Sequence, residues 1–279
     1  MERCGGGVCK VVVVTSGKGG VGKTTTSASL GAALAQAGQK VALVDFDVGL
    51  RNLDLILGAE RRVVFDLVNV IQGDARLSQA LIRDKRLATL SLLPASQTRD
   101  KDALTNDGVA QVIADLRAQF DWVICDSPAG IETGAMLAMR FADIAVVVVN
   151  PEVSSVRDSD RIIGLLDSRT CRAERGETLE KRLLLTRFDP ARAARGEMMG
   201  VADVLEILAI PLLGIVVESP EVLSASNVGC PITLHKPESA PARAYAEAAR
   251  RLMGEDLPVI TPIGRRGIMG RLFGRKAAA

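Results

Sequence analysis

Nine consecutive residues, Gly17-Lys18-Gly19-Gly20-Val21-Gly22-Lys23-Thr24-Thr25, satisfy the spacing G-x-x-x-x-G-K-[ST]. Chemistry at that spacing is phosphate binding. Glycines let successive backbone N–H groups converge on phosphate oxygens, and the N-terminus of a following helix adds its dipole. Lys23 would neutralise the β- and γ-phosphates of a nucleotide, and the Thr24 hydroxyl would complete the shell of a Mg²⁺ ion. The pattern carries weight only between a strand and a helix. Both are in place, an apolar run over 10–14 before it and helical spacing over 24–37 after it. Lys18 is a second lysine inside the loop. It adds charge but cannot readily curl back onto phosphates of its own chain. Two readings stay open: a solvated surface lysine, or a side chain that reaches a nucleotide across a dimer interface.

Two further apolar runs close on acids. Val41–Asp45 leads into Phe46-Asp47, and Trp122–Cys125 leads into Asp126. Carboxylates at the C-terminal ends of strands lie where open α/β sheets bind ligands. Alternation along an extended strand predicts that Asp45 and Asp47 point to one side, toward a Mg²⁺-nucleotide. One would orient the water on the metal and the other the attacking water. Asp126 would hold Mg²⁺ through a water, and Gly130 would let the backbone approach the γ-phosphate. The predicted metal set is therefore Thr24, Asp45 and Asp126.

The elements that must position these groups are legible as short Val/Ile/Leu runs at 10–14, 41–45, 89–93, 122–126, 144–149, 183–186 and 212–217. They are continuous rather than alternating, as strands buried on both faces are. Segments 24–37, 104–119, 155–168, 200–209 and 239–253 have helical spacing, the first ending at Gly38, a C-terminal cap. Strand-helix repetition predicts an α/β fold, a doubly wound, mostly parallel sheet with helices on both faces, of the P-loop NTPase kind. The expected organisation is an arm over 1–9, the nucleotide-binding body over 10–255, a linker over 256–262 and a basic tail over 263–279.

Charge supports that division. The 279 residues carry 35 basic and 33 acidic side chains, a net +2, so the chain is not a polycation made to coat nucleic acid. Residues 263–279 nevertheless hold five basic side chains and no acidic one. In a helix Ile268 and Leu272, and Met269 and Phe273, are i,i+4 pairs on one stripe, with Arg271 and Arg275 toward its flanks. That pattern predicts an amphipathic membrane-targeting segment, although Gly264, Gly267, Gly270 and Gly274 weaken the helix. Five cysteines form no disulfide framework, and Cys4 and Cys9 lack the further ligands a metal would need. No stretch reaches the roughly 18 apolar residues of a membrane span, and no secretory signal is recognisable. Eight aromatics without basic interleaving offer no single-stranded nucleic-acid platform. A cytoplasmic chain is expected.

Taken together the motifs resemble the deviant Walker A ATPases of the ParA/MinD type, whose signature lysine is Lys18 here. Longer blocks, Asp45–Asp54, Asn69–Asp74, Leu93–Leu104, Cys125–Gly134 and Asn150–Asp160, resemble the branch that places the division septum. The likeness runs from about residue 10 to about 275. It implies an ATPase, slow unless activated, that uses ATP and Mg²⁺. It also implies a face-to-face ATP homodimer in which Lys18 of each subunit contacts its partner's phosphates. That dimer would sit peripherally on the cytoplasmic face of the anionic inner membrane and recruit the division inhibitor MinC. A MinE-type activator would stimulate hydrolysis. Carried over by motif, Asp47, Lys18 and Lys23 are the catalytic residues, and Asn52 and Asp158 belong to switch and partner surfaces. Thr186, Arg187 and the 211–220 stretch would lie near the adenine.

Three alternatives remain at this level. A ParA-like partitioning ATPase for DNA or cargo shares the fold, but the apolar-studded basic tail argues against it. A scaffold that binds nucleotide without turnover would not need Asp47 beside Asp126. An iron–sulfur carrier of the Mrp type would want paired cysteines near 230–240, where only Cys230 stands.

Overall fold

The computed structural model describes residues 8–97 and 103–262. Its strands are β1 (Lys10–Thr15), β2 (Val41–Asp45), β3 (Ile82–Arg83), β4 (Leu90–Leu93), β5 (Trp122–Asp126), β6 (Ile144–Val149), β7 (Glu180–Phe188) and β8 (Leu212–Val217). They form one sheet in the order β3-β4-β2-β5-β1-β6-β7-β8. Every neighbouring pair is parallel except β3 with β4. The chain thus starts mid-sheet and winds outward both ways.

Among the described residues seven helices of eight residues or more cover the faces: α1 (Lys23–Gln36), α2 (Asn106–Arg117), α3 (Thr133–Arg140), α4 (Val153–Arg169), α5 (Val201–Leu208), α6 (Pro220–Asn227) and α7 (Ala240–Leu252). Successive residues of β1 divide between two cores, as the twofold period of a strand requires. Val11 and Val13 pack with α2, α3, α4 and α5, whereas Val12 and Val14 pack with α1 and α7. Helix α1 lies so close to the sheet that a Cβ on Gly31 would come within 2.6 Å of Leu43 Cδ2. Glycine is required there for approach rather than for conformation.

The seven anticipated strands and five anticipated helices are all present, with ends displaced by a residue or two; β7 is longer at both ends. The antiparallel edge strand β3, helices α3 and α6, and short turns such as Leu53–Ile56 and Cys171–Glu174 were not anticipated. Among the described residues Cys9, Cys125, Cys171 and Cys230 are free thiols. Burial pushes the Cys9 thiol up to about 11 and the Cys125 thiol up to about 12, so neither is a nucleophile. The expected membrane residues Ile268, Met269, Arg271, Leu272, Phe273 and Arg275 lie outside the described residues, as do Cys4 and residues 98–102 of the Leu93–Leu104 block.

Candidate nucleotide-binding site

The loops after β1, β2, β5, β6 and β8 gather at the C-terminal edge of the sheet. Between β1 and α1 the chain turns through Gly20 at φ 75° and Gly22 at φ 97°, left-handed conformations that favour glycine. Gly22 is the N-cap of α1, and Lys23 opens the helix. Gly17 has a different reason to be glycine. A Cβ there would lie 2.3 Å from the carbonyl of Asp158 in α4, so the phosphate loop is built directly against that helix. The Lys23 side chain is buried, its ammonium 3.1 Å from Ser16 Oγ, and Ser16 in turn donates to the Lys18 carbonyl at 2.7 Å. Burial draws the Lys23 pKa down, and the charges of Asp126 and Asp47 partly restore it. A cation so enclosed, at a helix N-terminus, is complementary to a phosphate.

Strands β2 and β5 pair in a register that sets Asp45 opposite Asp126. Both carboxylates are buried. Burial pushes Asp126 up to about 6, while hydrogen bonds from Ser27, at 2.7 Å, and Thr24 pull it down. Asp45 is pushed well above the carboxylate range by burial and by Asp126. Its oxygens accept the N–H groups of Asp47 at 2.9 Å and Leu53 at 3.2 Å. Two facing carboxylates beside a single buried ammonium form a donor set that suits a divalent cation. Thr24, Asp126 and Asp45 would hold Mg²⁺, which would neutralise charge on the phosphates. Among the described residues no cluster of three His, Cys, Asp or Glu could hold a metal alone. The rest of the shell would come from phosphate and water, as Mg²⁺ prefers.

Asp47 does not lie on the strand, contrary to the alternation expected of it. β2 ends at Asp45, and the chain turns immediately, the Asp47 carbonyl accepting the N–H groups of Leu50 at 3.2 Å and Arg51 at 3.1 Å. A loop rather than a strand pleat therefore aims Asp47, and the Asp45 carboxylate holds that loop. Arg51, at φ 42°, pairs with the buried Asp54 carboxylate at 2.7 Å and clamps the far side. Asn52, exposed, precedes the Leu53–Ile56 turn and makes no side-chain cap. Asp158 is exposed on α4.

Lys18 does not face its own loop. Its ammonium lies 3.1 Å from Glu152 Oε2 and 3.0 Å from Ser154 Oγ, at the start of α4. Both members of the pair are well exposed, and such a pair contributes about 0–1 kcal/mol.

A cleft of about 540 Å³ beside the loop is lined by Val21, Thr186, Arg187, Val217, Pro220 and Tyr245 among others. Thr186 Oγ lies 2.7 Å from the Val21 carbonyl and 2.9 Å from Asn150 Oδ1. Of the 211–220 stretch only 216–220 lines the cleft; Pro211 sits at the other end of β8, where its carbonyl accepts the Leu183 N–H at 2.8 Å. Tyr245 is buried in the core and also floors the cleft, with its hydroxyl 3.2 Å from Thr26 Oγ. Trp122 is core, its Nε1 donating to Gln39 at 3.3 Å. Gly130, at φ 86°, follows β5 with its N–H 3.4 Å from the Ser16 carbonyl. Sequence reasoning missed Ser16 and Ser27, because no motif spacing marks a lone hydroxyl, and it gave no role to Asn150, Glu152 or Ser154 within the Asn150–Asp160 block.

Residues 12–232 match the model of the CobQ/CobB/MinD/ParA nucleotide binding domain. The septum site-determining protein MinD of Escherichia coli (strain K12) is 57% identical over 270 residues, 96% of this chain and all of that one. The MinC:MinD cell division protein complex of Aquifex aeolicus contains a chain similar at TM-score 0.82 and 42% identity, covering 91% of this chain and 99% of that one. MinD of Pyrococcus horikoshii OT3, complexed with Mg-ADP, is similar at TM-score 0.77 and 30% identity over 88% of this chain and 96% of that one. On that family match and that identity over nearly its whole length, the chain belongs to the MinD family of septum-site-determining ATPases, within the CobQ/CobB/MinD/ParA nucleotide-binding domains.

Proposed function

We propose that this chain is an ATP-hydrolysing, membrane-associated switch that helps to place the division septum. ATP with Mg²⁺ occupies the loop and cleft, and two copies close face to face over two nucleotides. Lys23 neutralises phosphate charge within one chain, Lys18 reaches the phosphates of the other, and Asp47 orients the attacking water. The ATP dimer binds an anionic inner membrane through residues 263–279 and recruits a MinC-type inhibitor. A MinE-type activator stimulates hydrolysis and returns the ADP form to the cytoplasm. The Aquifex relative's complex with MinC and the Pyrococcus relative's complex with Mg-ADP support the partner and the cofactor. One observation carries the dimer reading: a complete phosphate loop contains a second lysine that turns to Glu152 and Ser154, away from its own phosphate site.

Lys18→Ala separates a trans role from a solvated lysine. The variant monomer is expected to bind ATP within about threefold of wild type, since an exposed pair is worth about 0–1 kcal/mol. ATP-dependent dimerisation, read by light scattering, and activated hydrolysis are expected to be lost. An unimpaired ATP dimer would refute the trans contact.

The membrane role is tested by sedimentation with anionic vesicles under ATP and under ADP. Four apolar side chains of the tail contribute roughly 1.5–3 kcal/mol each at most, and each basic residue near anionic lipid adds about 1 kcal/mol. Ordering entropy and about 1 kcal/mol for each interior glycine oppose them. A single tail therefore binds weakly, and two on one dimer bind through raised effective concentration. Leu272→Glu, or removal of residues 263–279, is expected to abolish sedimentation while ATP dimers still form. Sedimentation of the truncated chain in ATP would place the anchor elsewhere.

A further inference from the structure

Residues 256–262 are what sequence reasoning treats as a linker, and one side chain holds the first part of that stretch, Leu257 and Pro258, against the body. Arg251, in the last turn of α7, is about one-tenth exposed. Its Nε donates to the Leu257 carbonyl at 2.8 Å, its Nη2 to the Pro258 carbonyl at 2.8 Å and to Glu247 at 3.0 Å, and its Nη1 to the Leu213 carbonyl at 2.9 Å. Leu213 is a special acceptor. Leu183 pairs with Leu212 and Leu184 with Gly214, so the register skips Leu213, as at a β-bulge on the edge strand β8. One planar guanidinium thus joins that irregular edge to two consecutive carbonyls of the exiting chain. Val259 follows and packs on the core cluster of α2–α5, across the sheet from α7. The chain leaves α7, rounds the sheet edge and stays bound.

We infer that Arg251 is a positioning residue that straps Leu257–Val259 to the sheet edge, and that this fixed point on the way to the tail sets how strongly two tails act together on a membrane. The inference rests on the membrane reading above. Helix α7 also carries Tyr245, whose hydroxyl meets Thr26 three residues beyond Lys23. The stretch Leu257–Val259 is therefore fixed in the frame of the nucleotide site. In a dimer closed over two nucleotides, both tails leave from set positions. Released, the seven residues 256–262 would add up to roughly 25 Å of free tether to each tail. Effective concentration falls steeply once a tether exceeds the span it must cross.

The test uses the full chain. Arg251→Met removes every donor of the strap while keeping an apolar stem of similar length. Amide hydrogen exchange at Leu257 and Val259 is expected to quicken roughly tenfold as the local structure opens. Affinity for phosphatidylglycerol vesicles in ATP is expected to fall roughly three- to tenfold, with ATP affinity and ATP dimerisation unchanged. A second variant inserts six Gly/Ser residues after Pro262 with Arg251 intact; it is expected to show the vesicle defect without the exchange change. Unchanged exchange in Arg251→Met would overturn the strap. Faster exchange with undiminished vesicle binding, or a harmless insertion, would overturn its role in avidity. If Arg251→Met fails to fold, the insertion decides. If the wild-type chain does not sediment in ATP, the membrane reading fails instead, and exchange still decides whether the strap exists.

Discussion

Lys23→Ala is expected to weaken ATP binding at least about 100-fold, because hydrogen bonds to charged groups contribute roughly 1.5–3 kcal/mol each and Lys23 would make more than one. The enclosed position raises the stakes. The ammonium already stands in a desolvated loop, and a bound phosphate would replace solvent it has given up. The substitution also takes the nearest cation from Asp126, whose carboxyl already sits at about 6 and would titrate higher still. Isothermal titration with ATP and Mg²⁺ checks the affinity, and a thermal melt of the nucleotide-free variant separates lost binding from lost folding. Near-wild-type affinity in a folded variant would remove the phosphate-loop assignment.

Asp47→Asn is expected to form the ATP dimer but lower activated turnover roughly 100- to 1,000-fold. A carboxylate that orients the attacking water acts mainly in the transition state, so its loss falls on turnover rather than on binding. Asparagine preserves the backbone that receives the Leu50 and Arg51 N–H groups. The trapped dimer should remain on anionic vesicles long after ATP is added, where wild type with activator leaves. Phosphate release in single turnover measures the step directly. Turnover at the wild-type activated rate would reassign the water-positioning role.

How much of this was legible in the sequence depends on how local each signal is. The strands were visible because helices cover both faces of the sheet, which leaves continuous apolar runs such as Ile144–Val149. The phosphate loop was visible because backbone geometry demands glycines at set intervals. The edge strand β3 has two residues, one of them an exposed arginine, and no period can announce it. Asp47 was picked out by its type and place, but the alternation argument carried the strand two residues past its anticipated and actual end at Asp45, which turned a loop into a pleat. Lys18 was seen, but its partner Glu152 is 134 residues away and only the adjacency of β1 and β6 brings them together. Tyr245 is both core and cleft floor, and a sequence does not separate burial from ligand contact. Arg251 carried no signal at all, since its partners are backbone carbonyls, which every residue has.

Gly17 leaves the molecule without slack at one place. Its α-carbon lies so near the backbone of Asp158 that a single methyl would have nowhere to go. Between the loop that meets the nucleotide and the helix whose outer residues face away from the body there is no room for a side chain at this point. The loop cannot move toward the helix at this point without carrying the Asp158 backbone with it.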